Sequence, residues 1–237
     1  MWTSRTQLLL GEKNSSILEK KHVMIVGVGG VGAYAAEMIC RAGIGNITII
    51  DADTIKESNI NRQLPALHST IGKKKVTVLT ERLLDINPNL VLKQHDVFIE
   101  KELIPSLFEN LHVDFVIDAI DTLSPKIDLI RYCIQHKIKI VSSMGAGGRT
   151  DPSKIHYADI SGTYHCTLAK HVRKRLKLVN ISKGLPVVFS SEQVNQNSVI
   201  QIDDEKNKCS TVGTISYLPA IFGCYLAAYV IKKLIQK

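Results

Sequence analysis

Asp51 and Asp53, then Asn59, Arg62 and Lys75, and later Asp118 and Asp121, form an ordered series of carboxylates, amides and cations. Upstream, Ile25-Val-Gly27-Val-Gly29-Gly30-Val-Gly32 follows the apolar run Val23 to Val26 and precedes a helical pattern. Gly27, Gly29, Gly30 and Gly32 at this spacing let a backbone turn sharply and approach a phosphate at a helix N-terminus. Asp51 then falls where a ribose-binding carboxylate belongs. A glycine loop of this kind most often serves nicotinamide or flavin cofactors. The Asn59-Ile-Asn61-Arg62-Gln63 cluster directly after Asp53 shifts the reading towards ATP.

Taken with Gly72-Lys-Lys-Lys75 and Asp118-Ala-Ile-Asp121, these segments resemble the superfamily of ubiquitin-activating and ThiF/MoeB-like adenylating enzymes. The resemblance implies that a substrate carboxylate attacks the α-phosphate of ATP, giving an acyl-adenylate and pyrophosphate. Two anions must meet in that step, so cations and a metal ion are needed to stabilise the developing charge. By the family pattern Arg62 and Lys75 hold the β- and γ-phosphates, Asn59 contacts the phosphates or ribose, and Asp121 organises Mg2+. Arg5 precedes Gly11 at the spacing of an arginine that, in relatives, crosses a homodimer interface to the neighbouring γ-phosphate. A dinucleotide module without catalysis has no use for such a clamp.

Each residue also has a structural alternative. Asp118 and Asp121 could cap the helix beginning near Pro125. Lys75 could be one of a solvated lysine run, Asn59 and Asn61 could make Asx turns, and Arg5 could be a solvated terminal arginine.

Distal segments narrow the family. Tyr132-Cys133, Gly145-Ala-Gly-Gly148, Asp151-Pro152, Ser182-Lys-Gly184 and Val188-Phe-Ser-Ser-Glu192 resemble the branch that dehydrates threonylcarbamoyladenosine in tRNA. Activators of sulfur-carrier or ubiquitin-like proteins, the alternative, usually carry paired CxxC motifs. The five cysteines here, at 40, 133, 166, 209 and 224, form no such pair. The branch implies that the threonyl carboxylate is activated and a ring closes within the substrate. It leaves open a monovalent cation beside Mg2+ and a sulfur-transfer partner protein. Cys209 could line the site or act as a nucleophile, and is equally a small buried hydrophobe. Cys166 follows His165, but neighbours in sequence rarely face each other.

The elements that must position these groups alternate as in a parallel sheet. Strands are expected at 23–26, 47–50, 90–94, 114–118 and 138–142, with helices at 31–41, 74–86, 101–109 and 126–136. Asn87-Pro88 stops the second helix, because the residue before proline disfavours helix. The fold class is therefore α/β, a Rossmann-like, doubly wound, mainly parallel sheet. Its ligand crevice lies at the carboxyl ends of the strands, where Gly27, Asp51, Asp118 to Asp121 and Ser143 to Gly148 converge. After residue 150 the pattern changes to shorter strands at 155–160, 186–190 and 198–202. These are read as a C-terminal extension of one ThiF-like unit over 1–237, with a nucleotide-binding core at 1–150 and a substrate side at 151–237.

Within the extension, 167–179 is an amphipathic helix with Leu168, Val172, Leu176 and Val179 on one face. Lys170, His171, Arg173, Lys174, Arg175 and Lys177 occupy the rest, a candidate tRNA contact or simply a solvated face. Thirty Lys and Arg against 22 Asp and Glu, a formal charge of +8, favour an anionic partner without identifying it. No signal-peptide pattern is read at the N-terminus, and a cytoplasmic location with reduced thiols is expected. The uncharged run 212–231 has the length of a membrane span. Its Gly213, Ser216, Pro219 and Gly223 fit a buried helix of an α/β unit better, and no stable membrane insertion is expected.

Overall fold

The computed structural model describes residues 1–201 and 210–236. Seven strands make one sheet: β1 (His22–Val26), β2 (Asn46–Ile50), β3 (Val91–His95), β4 (Phe115–Asp118), β5 (Ile140–Ser143), β6 (Ile155–Asp159) and β7 (Pro186–Ser190). Their order is β3-β2-β1-β4-β5-β7-β6, parallel except for β6, which runs antiparallel to β7 at the edge. The central strands are buried and largely apolar because both faces are covered. Val23 and Ile25 of β1 enter one core layer, Met24 and Val26 the other.

One face is packed by α3 (Gly32–Arg41), α4 (Lys75–Ile86) and α8 (Tyr217–Ile235), the other by α5 (Ile104–Phe108), α6 (Leu123–Gln135) and α7 (Thr167–Lys177). Two short helices, α1 (Ser4–Leu10) and α2 (Glu12–Glu19), precede the sheet and are separated at Gly11, whose φ of 81° ends the first. The chain reverses its winding between β1 and β4, the switch point at which open α/β sheets bind ligands.

Several expected boundaries move. The helix expected at 101–109 is only α5, because Pro105 belongs in a first helical turn and cannot be reached by a helix running from 101. The helix expected at 126–136 starts three residues earlier, at Leu123, since Pro125 costs nothing where first-turn N–H groups have no intrahelical acceptor. The short strands at 155–160 and 186–190 join the main sheet as β6 and β7. The strand expected at 198–202 is β8 (Val199–Gln201), paired with β9 (Ser210–Val212) in a separate ribbon. Residue 202 of that strand and Cys209 lie outside the described residues.

The apolar run 212–231 splits into the end of β9 and most of α8. The helix has the length and composition of a membrane span, but Leu218, Phe222, Leu226 and Val230 are buried in the core. Gly223 is the contact with α3: a Cβ there would lie 2.5 Å from the Val31 carbonyl oxygen and 2.9 Å from the Ala35 nitrogen. Alanine is normally about 1 kcal/mol better than glycine in a helix. Gly223→Ala is nevertheless expected to destabilise by about 1–3 kcal/mol, since α8 must lift from α3, and urea unfolding checks the sign.

Glu37 of α3 is buried and receives Nε of Arg41 at 2.8 Å and Nε of Arg82 at 2.5 Å, tying α3 to α4. Burial alone raises its pKa, but the two guanidinium hydrogen bonds outweigh it and hold the carboxyl below its ordinary 4.5. A folded pKa below the unfolded one supplies stability that is present above the unfolded value and lost as pH falls through the folded one. Glu37→Gln is therefore expected to lower stability at pH 7 and to flatten the decline below about pH 4.5, the unfolded value, as followed by thermal melts across that range.

Candidate active site

At the end of β1 the chain turns through Gly27, whose φ is 85° and whose N–H donates to the Ile50 carbonyl at 2.8 Å. A Cβ on Gly27 would lie 2.8 Å from the Ala119 carbonyl oxygen, and one on Gly32 only 1.8 Å from the Gly27 carbonyl oxygen. These two glycines are required by the turn itself. Gly29 is different: a Cβ there would meet only the Gln63 carboxamide, at 3.7 Å. Its missing side chain therefore leaves open space in the crevice, as a phosphate approaching the backbone requires.

Gln63 was part of the expected Asn/Arg cluster but not of the candidate site. Its side chain is buried facing Gly29, and its Oε1 has no hydrogen-bond partner among the described residues. A buried unpaired acceptor carries a desolvation cost of about 1–3 kcal/mol, which a ligand donor would relieve. Sequence type gave no signal for this, because the carboxamide becomes conspicuous only by its burial.

Asp51, just past β2, accepts from the Val28 N–H at 2.8 Å and the Asp53 N–H at 2.9 Å. Burial pushes its carboxyl above its ordinary value, against the pull of Lys75 and the two backbone donors. Lys75, the first residue of α4, is buried, with Nζ 2.6 Å from Asp53 Oδ2 and 4.0 Å from Asp51 Oδ1. The solvated-lysine alternative does not describe it. Arg62 packs its Cγ 3.6 Å from the Cβ position of Gly30, while Nη1 donates to the Ser58 carbonyl and to Asn61 Oδ1. Both cations thus flank the glycine turn.

Asn59 Oδ1 accepts from the Lys56 N–H at 3.0 Å, so that side chain supports a local turn. Asn61 instead donates to the Thr214 carbonyl at 2.9 Å, joining the cluster to the segment after β9.

The end of β4 holds a group that the sequence reading missed. Lys126, on α6, is fully buried and donates from Nζ to Asp118 Oδ2 at 2.6 Å and to Ser142 Oγ at 3.1 Å. Asp118 Oδ2 also accepts from Ser142 Oγ, and its Oδ1 accepts from the Ile120 N–H. Asp118 therefore anchors the loop that carries Asp121. Neither aspartate caps α6, whose N-cap is Thr122 with no side-chain cap hydrogen bond. Asp121 is exposed beside Thr122. No group of three His, Cys, Asp or Glu side chains that could hold a metal ion occurs among the described residues.

Arg5 is exposed on α1 and makes no ion pair or side-chain hydrogen bond among the described residues. Thr3 lies 3.6 Å from the Cβ position of Gly43, just beyond the C-terminal end of α3. The glycine turn is at the other end of that helix, so the structure does not bring Arg5 to its own chain's crevice. Of the cysteines, burial pushes the Cys40 thiol up to about 11 and the Cys133 thiol up to about 12, which suits packing and not nucleophilic attack. His165 and Cys166 make no bond to each other: His165 Nδ1 pairs with the Ser191 carbonyl and Cys166 Sγ accepts from the Ala169 N–H. On α7, Lys170, Lys174, Arg175 and Lys177 are exposed, while Arg173 is partly withdrawn and donates to the Thr163 carbonyl and hydroxyl.

Residues 3–237 match the ThiF family. The chain is 35% identical over 240 residues to the tRNA threonylcarbamoyladenosine dehydratase of Bacillus subtilis (strain 168), covering 98% of this chain and 94% of that protein. It is 39% identical over 230 residues to the protein of the same name from Haemophilus influenzae, with 93% and 88% covered. The fold is similar to a crystal structure of E. coli tRNA N6-threonylcarbamoyladenosine dehydratase, TcdA, in complex with ATP. That comparison has a TM-score of 0.88 and 34% identity over 98% of this chain and 92% of the other.

Proposed function

The chain belongs to the ThiF family, and from that premise we propose that it removes water from threonylcarbamoyladenosine in tRNA at the expense of ATP. The threonyl carboxylate is adenylated, pyrophosphate leaves, and ring closure within the substrate releases AMP. The observation that carries the nucleotide half of this reading is that two cations, Arg62 and Lys75, flank one glycine turn. The RNA half rests on the named activity of relatives matched along nearly the whole chain.

In this reading Gly29 and Gly30 let the phosphates approach the N-terminal end of α3, and Asp51 takes the ribose hydroxyls. Lys75 exchanges its contact with Asp53 for a phosphate, and Arg62 turns from Ser58 and Asn61 to the outer phosphates. Asn59 and Asp53 line the same crevice. Asp121 would supply a carboxylate to Mg2+, an ion commonly bound through one or two protein carboxylates together with substrate phosphates. Bound there, the ion neutralises charge on the phosphates; a monovalent cation belongs to the same proposal. After adenylation, holding the acyl group beside its internal nucleophile supplies much of the second step by proximity.

We assign residues 1–150 to the nucleotide and 151–237 to the substrate side of a single unit, with the basic face of α7 against tRNA phosphates. Arg5 completes the crevice of a second copy. Leu8 and Leu9 on the same helix are 89% and 83% exposed, as a homodimer contact would have them. The site of action is the cytoplasm, and a sulfur-transfer protein is a further partner to be tested. The decisive experiment incubates purified protein with ATP, Mg2+ and tRNA bearing threonylcarbamoyladenosine, then analyses nucleosides by mass spectrometry. Loss of one water with formation of AMP and pyrophosphate is expected; an unchanged nucleoside alongside normal ATP binding would redirect the search to carrier proteins.

A further inference from the structure

A cavity of about 340 Å3 opens beside the N-terminal half of α7, away from the glycine turn. It is lined by His165, Thr167, Lys170, Arg173, Gln193 and Gln196, with Cys166 and Val194 as its apolar part. The volume lies in the range of small-ligand sites, and its lining offers cations and amides with no carboxylate. A base with several polar edge atoms, joined to a phosphate, matches that lining better than a purely apolar ligand does.

The geometry of His165 is fixed from two sides. Its φ is +53°, in the left-handed region that is uncommon for residues other than glycine, although histidine, like asparagine and aspartate, enters it more often than most. Its carbonyl accepts from Arg149 Nη2 at 2.8 Å, and its Nδ1 lies 3.0 Å from the Ser191 carbonyl. A carbonyl can only accept, so Nδ1 carries a proton and donates there, which leaves the Nε2 edge facing away from that bond. A left-handed backbone maintained by flanking hydrogen bonds at a cavity wall is the kind of strain that accompanies binding sites.

Arg149 ties the backbone of this cavity's rim to the loop after β5. Its buried guanidinium also donates to the carbonyls of Gly145 at 2.6 Å and Glu192 at 2.9 Å, so the loop after β5 and the 192–196 segment are fastened to His165. The same loop touches the crevice side through Gly147, whose Cβ position is 3.1 Å from Thr214 Oγ1, and Thr214 in turn receives Asn61. The 145–149 loop thus packs behind the cavity's Cys166, whose Sγ is 3.6 Å from the Cβ position of Gly145, and against Thr214 at its other end.

We propose that this cavity receives the modified adenosine of the RNA, turned out of its stack, with the threonyl carboxylate directed past the 145–149 loop towards the nucleotide crevice. Gln193, Gln196 and His165 read the base, and Lys170 holds its phosphate. Enzymes that act on a base extrude it into such pockets and read its edges by hydrogen bonds. The assignment rests on the RNA-dehydratase reading above and adds where the nucleoside sits.

The test compares two anticodon stem–loop RNAs, one with threonylcarbamoyladenosine and one with plain adenosine, by measuring the Kd of each and, separately, of ATP. Wild type is expected to prefer the modified RNA. His165→Asn, which keeps a residue tolerant of the positive φ, and Gln193→Ala should each shrink that preference by about tenfold, the scale of one good base contact, with ATP affinity unchanged. Lys174→Ala, on the outer face of α7, should weaken both RNAs alike. A wild type without preference, or variants that retain it, overturns the assignment. A wild type that prefers the modified RNA but does not dehydrate it leaves the cavity assigned and overturns the catalytic reading instead.

Discussion

Lys126→Met is expected to cost about 3–5 kcal/mol, the usual scale for removing one partner of a buried ion pair. Asp118 and Lys126 are both fully buried, and the ammonium is the only cation on that carboxylate among the described residues. Without it, Asp118 retains the Ser142 hydroxyl and the Ile120 N–H but remains a charge in the sheet's interior. In a chain of this size the loss corresponds to roughly 10 °C or more in Tm. The double variant Asp118→Asn/Lys126→Met should recover much of it, because two apolar or neutral groups do not leave an orphaned charge. Its turnover should stay low even so, since the contact that fixes the Asp121 loop has been altered. A single-variant Tm within 2 °C of wild type, on the same estimate, would remove the pair from the account of how that loop is held.

Lys75→Ala is expected to lower turnover by about 10²–10³-fold, the effect of deleting one preorganised group that stabilises developing charge. The ammonium already sits at the crevice, held by Asp53 and near Asp51, so little reorganisation separates it from a bound phosphate. Arg62→Ala should act in the same direction with less effect on the fold, because Arg62 is partly exposed and, among the described residues, its hydrogen bonds are to Ser58 and Asn61 of its own loop. Steady-state kinetics with ATP varied, beside a direct ATP titration, distinguish weakened binding from lost transition-state stabilisation. Normal kcat and normal ATP affinity in either variant would remove that cation from the clamp.

The sheet was legible because strands covered on both sides read as unbroken Val and Ile runs: His22–Val26 and Asn46–Ile50 lie within a residue of expectation. Helix starts near proline were less so, since Pro105 and Pro125 each fit a first turn but do not say which residue begins it. At the site, Asp51, Lys75 and Arg62 were visible as types, and the fold brings all three to the glycine turn. What the sequence hid was burial. Lys126 has the pattern of an ordinary surface lysine, and only the approach of β5 to β4 shows that its partner is Asp118. Arg149 and Gln63 were obscured in the same way, as was the cavity, whose walls come from segments far apart in the chain.

The closure of one core layer by α8 bears on how the protein is made. That layer runs from Leu18 to Leu234, and α8 lies directly on α3, the helix that follows the glycine turn. During translation the N-terminal part of the sheet emerges first with Ala35, Ile39 and their neighbours uncovered, and it stays so until residues up to 234 have left the ribosome. Contacts this distant in sequence form slowly and leave apolar surface open to misassociation meanwhile. Stalled or prematurely released chains lacking α8 are thus natural clients for chaperones, and the yield of active protein in a cell depends on α8 as much as on the glycine turn.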